Sequence, residues 1–186
     1  GVVMNAKAMS LKAKIKNYAI KNNIAAQVVL QNFMFERFLA RLSRSKYSQM
    51  FVIKGGMLIA SLVGIDTRAT MDLDATLRNL PLKKEEIEKA VREICAQHLD
   101  DDVRFEIKSI ECIRKDDVYG GYCVKMQAFY ETIVTPLSLD ISTGDIITLA
   151  AVPYEFIGMF DNSIRIKLWV YNIETVMAEK LEAIFS

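Results

Sequence analysis

The sequence predicts an α+β fold, with helices first and then a mixed or antiparallel sheet that has a further helix across it. Three observations carry this prediction. Apolar residues recur at helical spacing through residues 11–45, a stretch without Gly or Pro. The second half of the chain changes to the alternating period of strands. Residues 82–98 return to the helical period between these two regions. Helices and strands segregated in this way are typical of α+β proteins.

The helical periodicity predicts where the helices begin and end. Residues 11–45 form two helices, and Asn22-Asn23 is the break between them. A short helix is predicted at residues 57–63. The helix at residues 82–98 carries acidic side chains near its start, which suits the helix dipole. A last helix is predicted at residues 173–185.

The strands are predicted from short apolar or alternating runs bounded by turn residues. Gly55-Gly56 is predicted as a turn after the first strand. The sequence of residues 119–122, Tyr-Gly-Gly-Tyr, is typical of a hairpin turn. The predicted strands are residues 51–53, 70–77, 103–108, 123–133, 137–141 and 164–170.

Composition excludes several kinds of protein and of catalytic site. His98 is the only histidine, which removes Ser-His-Asp, Cys-His and HExxH chemistry. Cys95, Cys112 and Cys123 form no CxxC pair, so neither a disulfide framework nor a zinc ribbon is expected. No run of 18 apolar residues predicts a membrane span, and residues 1–10 lack the apolar core of a signal peptide. We therefore expect a cytoplasmic protein with no membrane partner.

Charge is distributed unevenly along the chain. The net charge is +1, but residues 1–50 carry +8 and the remainder carries −7. A basic segment joined to an acidic body indicates a polyanionic partner for the first and cation binding by the second. The alternative is a lysine-rich helix face that is simply solvated. If the partner is RNA, the side chains expected to contact its phosphates are Lys12, Lys14, Lys16, Arg37, Arg41 and Arg44.

The pattern Asp72-Leu-Asp74 carries the clearest chemistry. In a strand, residues two apart point to the same face, so these two carboxylates lie side by side while Leu73 points into the core. Like charges this close raise each other's pKa unless a cation lies between them. Mg²⁺ that also binds substrate phosphates fits such a pair. Asp140, on a later strand, would add a third carboxylate if the two strands are neighbours, and one of the three could accept a proton from an attacking hydroxyl.

Gly55-Gly56 lies between a buried strand and the start of a helix. Free backbone N–H groups there can bind phosphate, because no Cβ blocks a close approach. Each of these motifs is common by itself. Their order, which is strand, Gly-Gly, helix, Asp-x-Asp strand and a later strand with one Asp, is much more specific.

This order resembles the nucleotidyltransferase superfamily and, within it, the AbiEii/AbiGii toxins of type IV toxin–antitoxin and abortive-infection systems. The matching stretches are residues 51–59, 68–74, 139–145 and 178–183. The resemblance implies a nucleotidyltransferase-like domain at residues 49–186, preceded by a basic helical segment at residues 1–48. It implies an enzyme dependent on Mg²⁺ or Mn²⁺ that moves a nucleoside monophosphate from an NTP to an acceptor. In relatives the acceptor can be the 3′ end of tRNA, and the antitoxin is a winged-helix protein.

The resemblance also implies a role for individual residues. Catalysis would depend on Asp72, Asp74, Asp140 and Lys180, of which the three aspartates would hold the metal. The nucleotide would be bound by Lys54, Gly55, Gly56, Arg68 and Lys180. Met57 departs from the family pattern, because many members have Ser or Thr there. The family continues beyond the position of Ser186 into a further helical region, so the chain is expected to be a fragment.

Alternatives remain for the function and for two of these residues. The fold could serve as a non-catalytic nucleotide- or protein-binding module, or transfer phosphate as a kinase does. All three acids are present, which favours an enzyme. Arg68 could simply neutralise the acids, and Lys180 could be an exposed helix residue without a role.

Overall fold

The structure is a computed structural model that describes residues 6–54, 72–115, 118–143 and 151–171. Several predictions lie outside these ranges: the helices at residues 57–63 and 173–185, and the site residues Gly55, Gly56, Arg68 and Lys180.

The described ranges contain three helices at the predicted places. Asn23 separates the first two with a positive φ of 52°. The first and third helices each bury one apolar stripe, whereas the second is buried on all sides from Met34 to Leu42. None of the three is long and apolar enough to cross a lipid bilayer. The helices are α1 (Ala6–Asn22), α2 (Ala26–Arg44) and α3 (Lys84–Cys95).

Within the same ranges seven strands form one sheet, in the order β3-β4-β5-β2-β1-β7-β6. β2 is parallel to β5 and β1 is parallel to β7, whereas the other neighbours are antiparallel. The mixed sheet behind two leading helices confirms the predicted fold class. The strands are β1 (Phe51–Lys54), β2 (Asp72–Leu77), β3 (Val103–Lys115), β4 (Val118–Tyr130), β5 (Ile133–Thr143), β6 (Ala151–Ile157) and β7 (Arg165–Tyr171).

The hydrophobic core lies between one face of this sheet and the helices. Leu73 of β2 and Leu139 of β5 are almost completely buried, and they share one core with Phe35 and Phe38 of α2. The ring of Phe38 also contacts that of Phe105 on β3, with centroids 5.8 Å apart. Alternate residues of β2 and β5 therefore point away from the helices. The division of the chain after residue 48 stays a prediction.

The hairpin of β3 and β4 is present, but its turn was predicted at the wrong place. Residues 119–122 lie inside β4, which begins at Val118. Gly121 has φ of 122°, and a Cβ on it would lie 2.1 Å from the carbonyl oxygen of Ile141. Glycine is therefore required at this position by the close approach of β5, and not by a turn.

Two further features of the sheet differ from the prediction. The strand predicted at residues 123–133 is interrupted after Tyr130 by a turn at Glu131-Thr132, where Glu131 has φ of 50°. No Gly, Asn or Pro signals this turn in the sequence. β6 was not predicted. It contains Pro153, which is tolerated because β6 is the outermost strand of the described sheet.

Candidate functional site

The structure brings the three acidic residues together on one face of the sheet. Asp74 of β2 and Asp140 of β5 are direct partners in the parallel ladder, and Asp72 is the partner of Ser138. Directly paired residues point to the same side of a sheet, whereas buried Leu73 and Leu139 point to the other. The condition set by the sequence, that the two strands are neighbours, is therefore met. We call this side of the sheet the carboxylate face.

Other polar side chains continue across the carboxylate face in two rows. Both rows follow from the strand registers. The first row, from β1 to β3, is Lys54, Asp74, Asp140, Cys123 and Glu111. The second row, from β2 to β3, is Asp72, Ser138, Lys125 and Ser109.

The charges on the carboxylate face change the pKa of Asp72. Burial of this carboxyl group raises its pKa, and the negative charge of Asp140 raises it further. A hydrogen bond from Ser138 and the positive charge of Lys125 act in the opposite direction. The acids thus repel each other, as expected of carboxylates that are positioned for a cation.

Cys123 lies beside the acids but is not a nucleophile. Burial, a hydrogen bond to Asp140 and the charges of Asp140 and Asp72 raise the pKa of its thiol to about 11. A thiol with this pKa is protonated at neutral pH, whereas reactivity requires the thiolate. Sequence reasoning did not single out Cys123, Lys125 or Ser138. Ser138 could have been found from its i−2 position to Asp140, but the other two required the register of β4 on β5.

The donor chemistry of this face fits a hard divalent cation. Aspartate oxygens are the ligands that Mg²⁺ prefers, and Asp72 would lose its repulsion from Asp140 when a cation is bound. Among the residues that the structure describes, no three acidic, histidine or cysteine side chains lie close enough together to hold a metal ion, so the three aspartates share a face without forming a ready-made cation site. A cation would therefore need ligands from a substrate, and Mg²⁺ commonly takes them from phosphates.

The structure contradicts part of the predicted RNA contact. Arg37 and Arg41 are only 6% and 2% exposed. Arg37 pairs with Glu36 at 2.7 Å, and Arg41 binds both carboxylate oxygens of Asp101. These two arginines are not available to RNA, because their place on α2 turns them into the protein interior. Arg44 and the three predicted lysines of α1 are exposed.

The basic helices also lie on the other side of the sheet from the acids. α2 packs on the face that carries Leu73 and Leu139, and α1 packs against α2. An acceptor held by α1 would therefore have to extend around the sheet to reach Asp140.

A comparison with known protein families agrees with the family that the motifs resemble. A family model described as nucleotidyl transferase AbiEii toxin, type IV toxin–antitoxin system, matches residues 37–186, which is most of the chain. No curated protein matches the chain in sequence.

Two solved structures from Helicobacter pylori are similar to the chain. One is described as a candidate nucleotidyltransferase, with a TM-score of 0.47 and 15% identity over 85% of this chain. The other is JHP933, with a TM-score of 0.44 and 14% identity over 85% of this chain. The chain spans 59% and 57% of the lengths of these two proteins.

Proposed function

The chain belongs to the AbiEii family of type IV toxin–antitoxin nucleotidyltransferases, and we propose that it transfers a nucleoside monophosphate from an NTP to an acceptor hydroxyl. The proposed acceptor is the 3′ end of tRNA, and the proposed setting is a toxin–antitoxin system that acts in phage defence. A winged-helix antitoxin is the proposed protein partner.

One observation supports this reaction more than any other, namely the direct pairing of Asp74 with Asp140 beside Asp72. Nucleotidyl transfer requires positioned negative groups that bind a cation and accept a proton. Three carboxylates on neighbouring strands meet both requirements within one site. A protein that only binds nucleotide would need no third acid.

The proposed step begins at the acceptor hydroxyl. Its oxygen attacks the α-phosphorus of the NTP while the Asp140 carboxylate accepts the hydroxyl proton. The bond from the α-phosphorus to the oxygen that bridges to the β-phosphorus breaks, and pyrophosphate leaves. Mg²⁺ or Mn²⁺, when bound, would neutralise phosphate charge, and Asp72, Asp74 and Asp140 would hold it together with phosphate oxygens of the NTP.

The phosphates of the NTP would lie toward β1. Lys54 ends this strand beside Asp74, and Gly55-Gly56 follow it directly in the chain. A lysine and two glycines at the end of a strand suit β- and γ-phosphates, because the backbone can approach them closely. Arg68 and Lys180 complete the proposed set of phosphate-binding residues.

The test uses the protein in its natural full-length form with Mg²⁺, total tRNA and NTPs labelled at either the α- or the γ-phosphate. Transfer of α-label to tRNA is expected, with a loss of about 10²–10³ in rate or more on Asp72→Asn. Glu155→Gln is the control, since Glu155 is an exposed acid of β6, three strands from β2, that pairs with Arg165.

Two outcomes would contradict the proposal. Transfer of γ-label would show a kinase-like reaction. Absence of transfer, or α-label transfer that Asp72→Asn leaves unchanged, would show that these acids do not carry nucleotidyl transfer.

A further inference from the structure

The carboxylate face has two sides that differ in what they can bind. On one side of the acids lies β1, which ends in Lys54 before the Gly-Gly sequence. On the other side, β5 is followed by β4 and then by β3, the outermost strand of the described sheet. Cys123, Lys125 and Glu111 point from these strands to the same face as the acids.

The geometry of phosphoryl transfer assigns these sides different roles. The attacking oxygen and the leaving oxygen lie roughly in line through the reacting phosphorus. Pyrophosphate that leaves toward β1 therefore requires an acceptor that arrives from the opposite side, across β5 and β4. Asp140 is the acid on that side, in agreement with its proposed role as the proton acceptor.

Lys125 of β4 is a basic side chain beside that path. It is the partner of Ser138, which in turn is the partner of Asp72, so Lys125 lies two strands from Asp72, or about 10 Å between Cα atoms. The site therefore has a cation on the side that the acceptor must cross.

The contact that Lys125 makes within the protein is a weak one. Its Nζ lies 4.0 Å from a carboxylate oxygen of Glu111, and the two side chains are 56% and 62% exposed. An exposed pair at this distance contributes little. The ammonium can therefore exchange Glu111 for a phosphate at low cost.

We propose that the acceptor enters across β5 and β4, and that Lys125 binds the acceptor phosphate next to the reacting hydroxyl. This inference rests on the proposed nucleotidyl transfer. It deepens the proposed tRNA acceptor by naming the side chain that binds it, because the hydroxyl at the 3′ end of a nucleic acid has a phosphate within the same nucleotide. A serine, threonine or tyrosine hydroxyl of a protein acceptor has no such group.

The chain provides a matched control for this lysine. Lys167 of β7 points to the same face of the sheet, on the β1 side of the acids. Its Nζ also lies 4.0 Å from an acidic oxygen, that of Glu155, and its side chain is 83% exposed. Lys125 and Lys167 thus have the same kind of weak pair, and they differ in which side of the acids they occupy.

The experiment measures transfer of α-labelled NTP to total tRNA by the full-length protein over a range of tRNA and salt concentrations. Lys125→Ala is expected to raise the KM for tRNA about fivefold, which is the size of one exposed ion pair. The slope of log KM against log salt is expected to fall by about one, as for the loss of one phosphate contact. The Kd of the NTP, measured by calorimetry, is expected to be unchanged. Lys125→Arg is expected to restore the KM, and Lys167→Ala to leave it unchanged.

Three results would overturn the inference. A KM for tRNA within twofold of wild type in Lys125→Ala would show that the lysine does not contact the acceptor. An equal change in Lys167→Ala would show a general effect of surface charge. Transfer of label to protein in place of tRNA would exclude a polynucleotide acceptor. A wild-type protein that transfers no label at all contradicts the proposed function itself, which separates that failure from the other three.

Discussion

The guanidinium of Arg41 on α2 donates two hydrogen bonds to the carboxylate of Asp101, at 2.9 and 2.8 Å, and a third to the carbonyl oxygen of Val103 at 2.6 Å. Both side chains are largely buried. The pair joins the second helix to the segment that leads into β3. A residue counted in the sequence as part of a basic RNA-binding surface is therefore a fixed component of the interior.

We expect Asp101→Asn to destabilise the protein by about 3–5 kcal/mol, because the substitution leaves the buried Arg41 charge without its partner. Urea unfolding followed by circular dichroism measures this change. Arg44→Gln is the control, since Arg44 is exposed at the end of α2, and a change within about 0.5 kcal/mol is expected there. Equal stability of wild type and Asp101→Asn would show that the pair is not maintained in solution.

Gly121→Ala is expected to destabilise the sheet beside the acids. A Cβ at this position would lie 2.1 Å from the backbone oxygen of Ile141, the residue after Asp140, and φ is 122°. The change is expected to exceed about 2 kcal/mol, since both strain and a clash with backbone arise. Gly120→Ala is the neighbouring control, because its nearest atom lies at 3.3 Å. Similar melting temperatures for the two variants would contradict the register of β4 on β5.

The burial of Asp72 and its repulsion from Asp140 together give a pH-dependent prediction. The pKa of Asp72 is raised in the folded protein, so its contribution to stability is lost as the pH rises from the unfolded pKa through the folded one. Asp72→Asn removes this penalty. We therefore expect this variant to melt at a higher temperature than wild type at pH 7 without divalent cations, with the difference disappearing near pH 3.

Mg²⁺ provides the second half of the same experiment. Binding of Mg²⁺ to the folded state raises the melting temperature by mass action. Mg²⁺ at about 10 times its Kd or more is therefore expected to stabilise wild type, and to stabilise Asp72→Asn less. A variant that melts below wild type at pH 7, or that responds equally to Mg²⁺, would show that Asp72 is not a cation ligand.

The sequence was sufficient for the features that depend on local periodicity. Leu11 and Ile15 predicted α1, and the alternation at Asp72 and Asp74 predicted which side of β2 faces the core. The convergence of the three acids was made conditional on β2 and β5 being neighbours, and the two strands are paired. Gly55, Gly56, Arg68 and Lys180 lie outside the described residues, so their roles stay predictions.

The features that the sequence did not predict depend on contacts between distant residues. Gly121 was interpreted as a turn residue. Glycine is required there because the backbone of Ile141 lies too close for a Cβ, and Ile141 belongs to another strand. Arg41 was counted as a surface charge because its partner, Asp101, is 60 residues away in the sequence, beyond three further described elements. Lys125 was not noticed because its position beside Asp72 exists only through the register of three strands.

The most direct test of nucleotidyl transfer on these acids is the single-turnover rate at which α-label moves from NTP to tRNA in Asp140→Asn. Asparagine has nearly the shape of aspartate but cannot accept the proton of the acceptor hydroxyl. We predict a loss of about 10²–10⁴ in rate, the range of general base catalysis, while the Kd of the NTP changes by a much smaller factor. A rate equal to that of wild type would contradict the assignment of Asp140 and, with it, the proposed site.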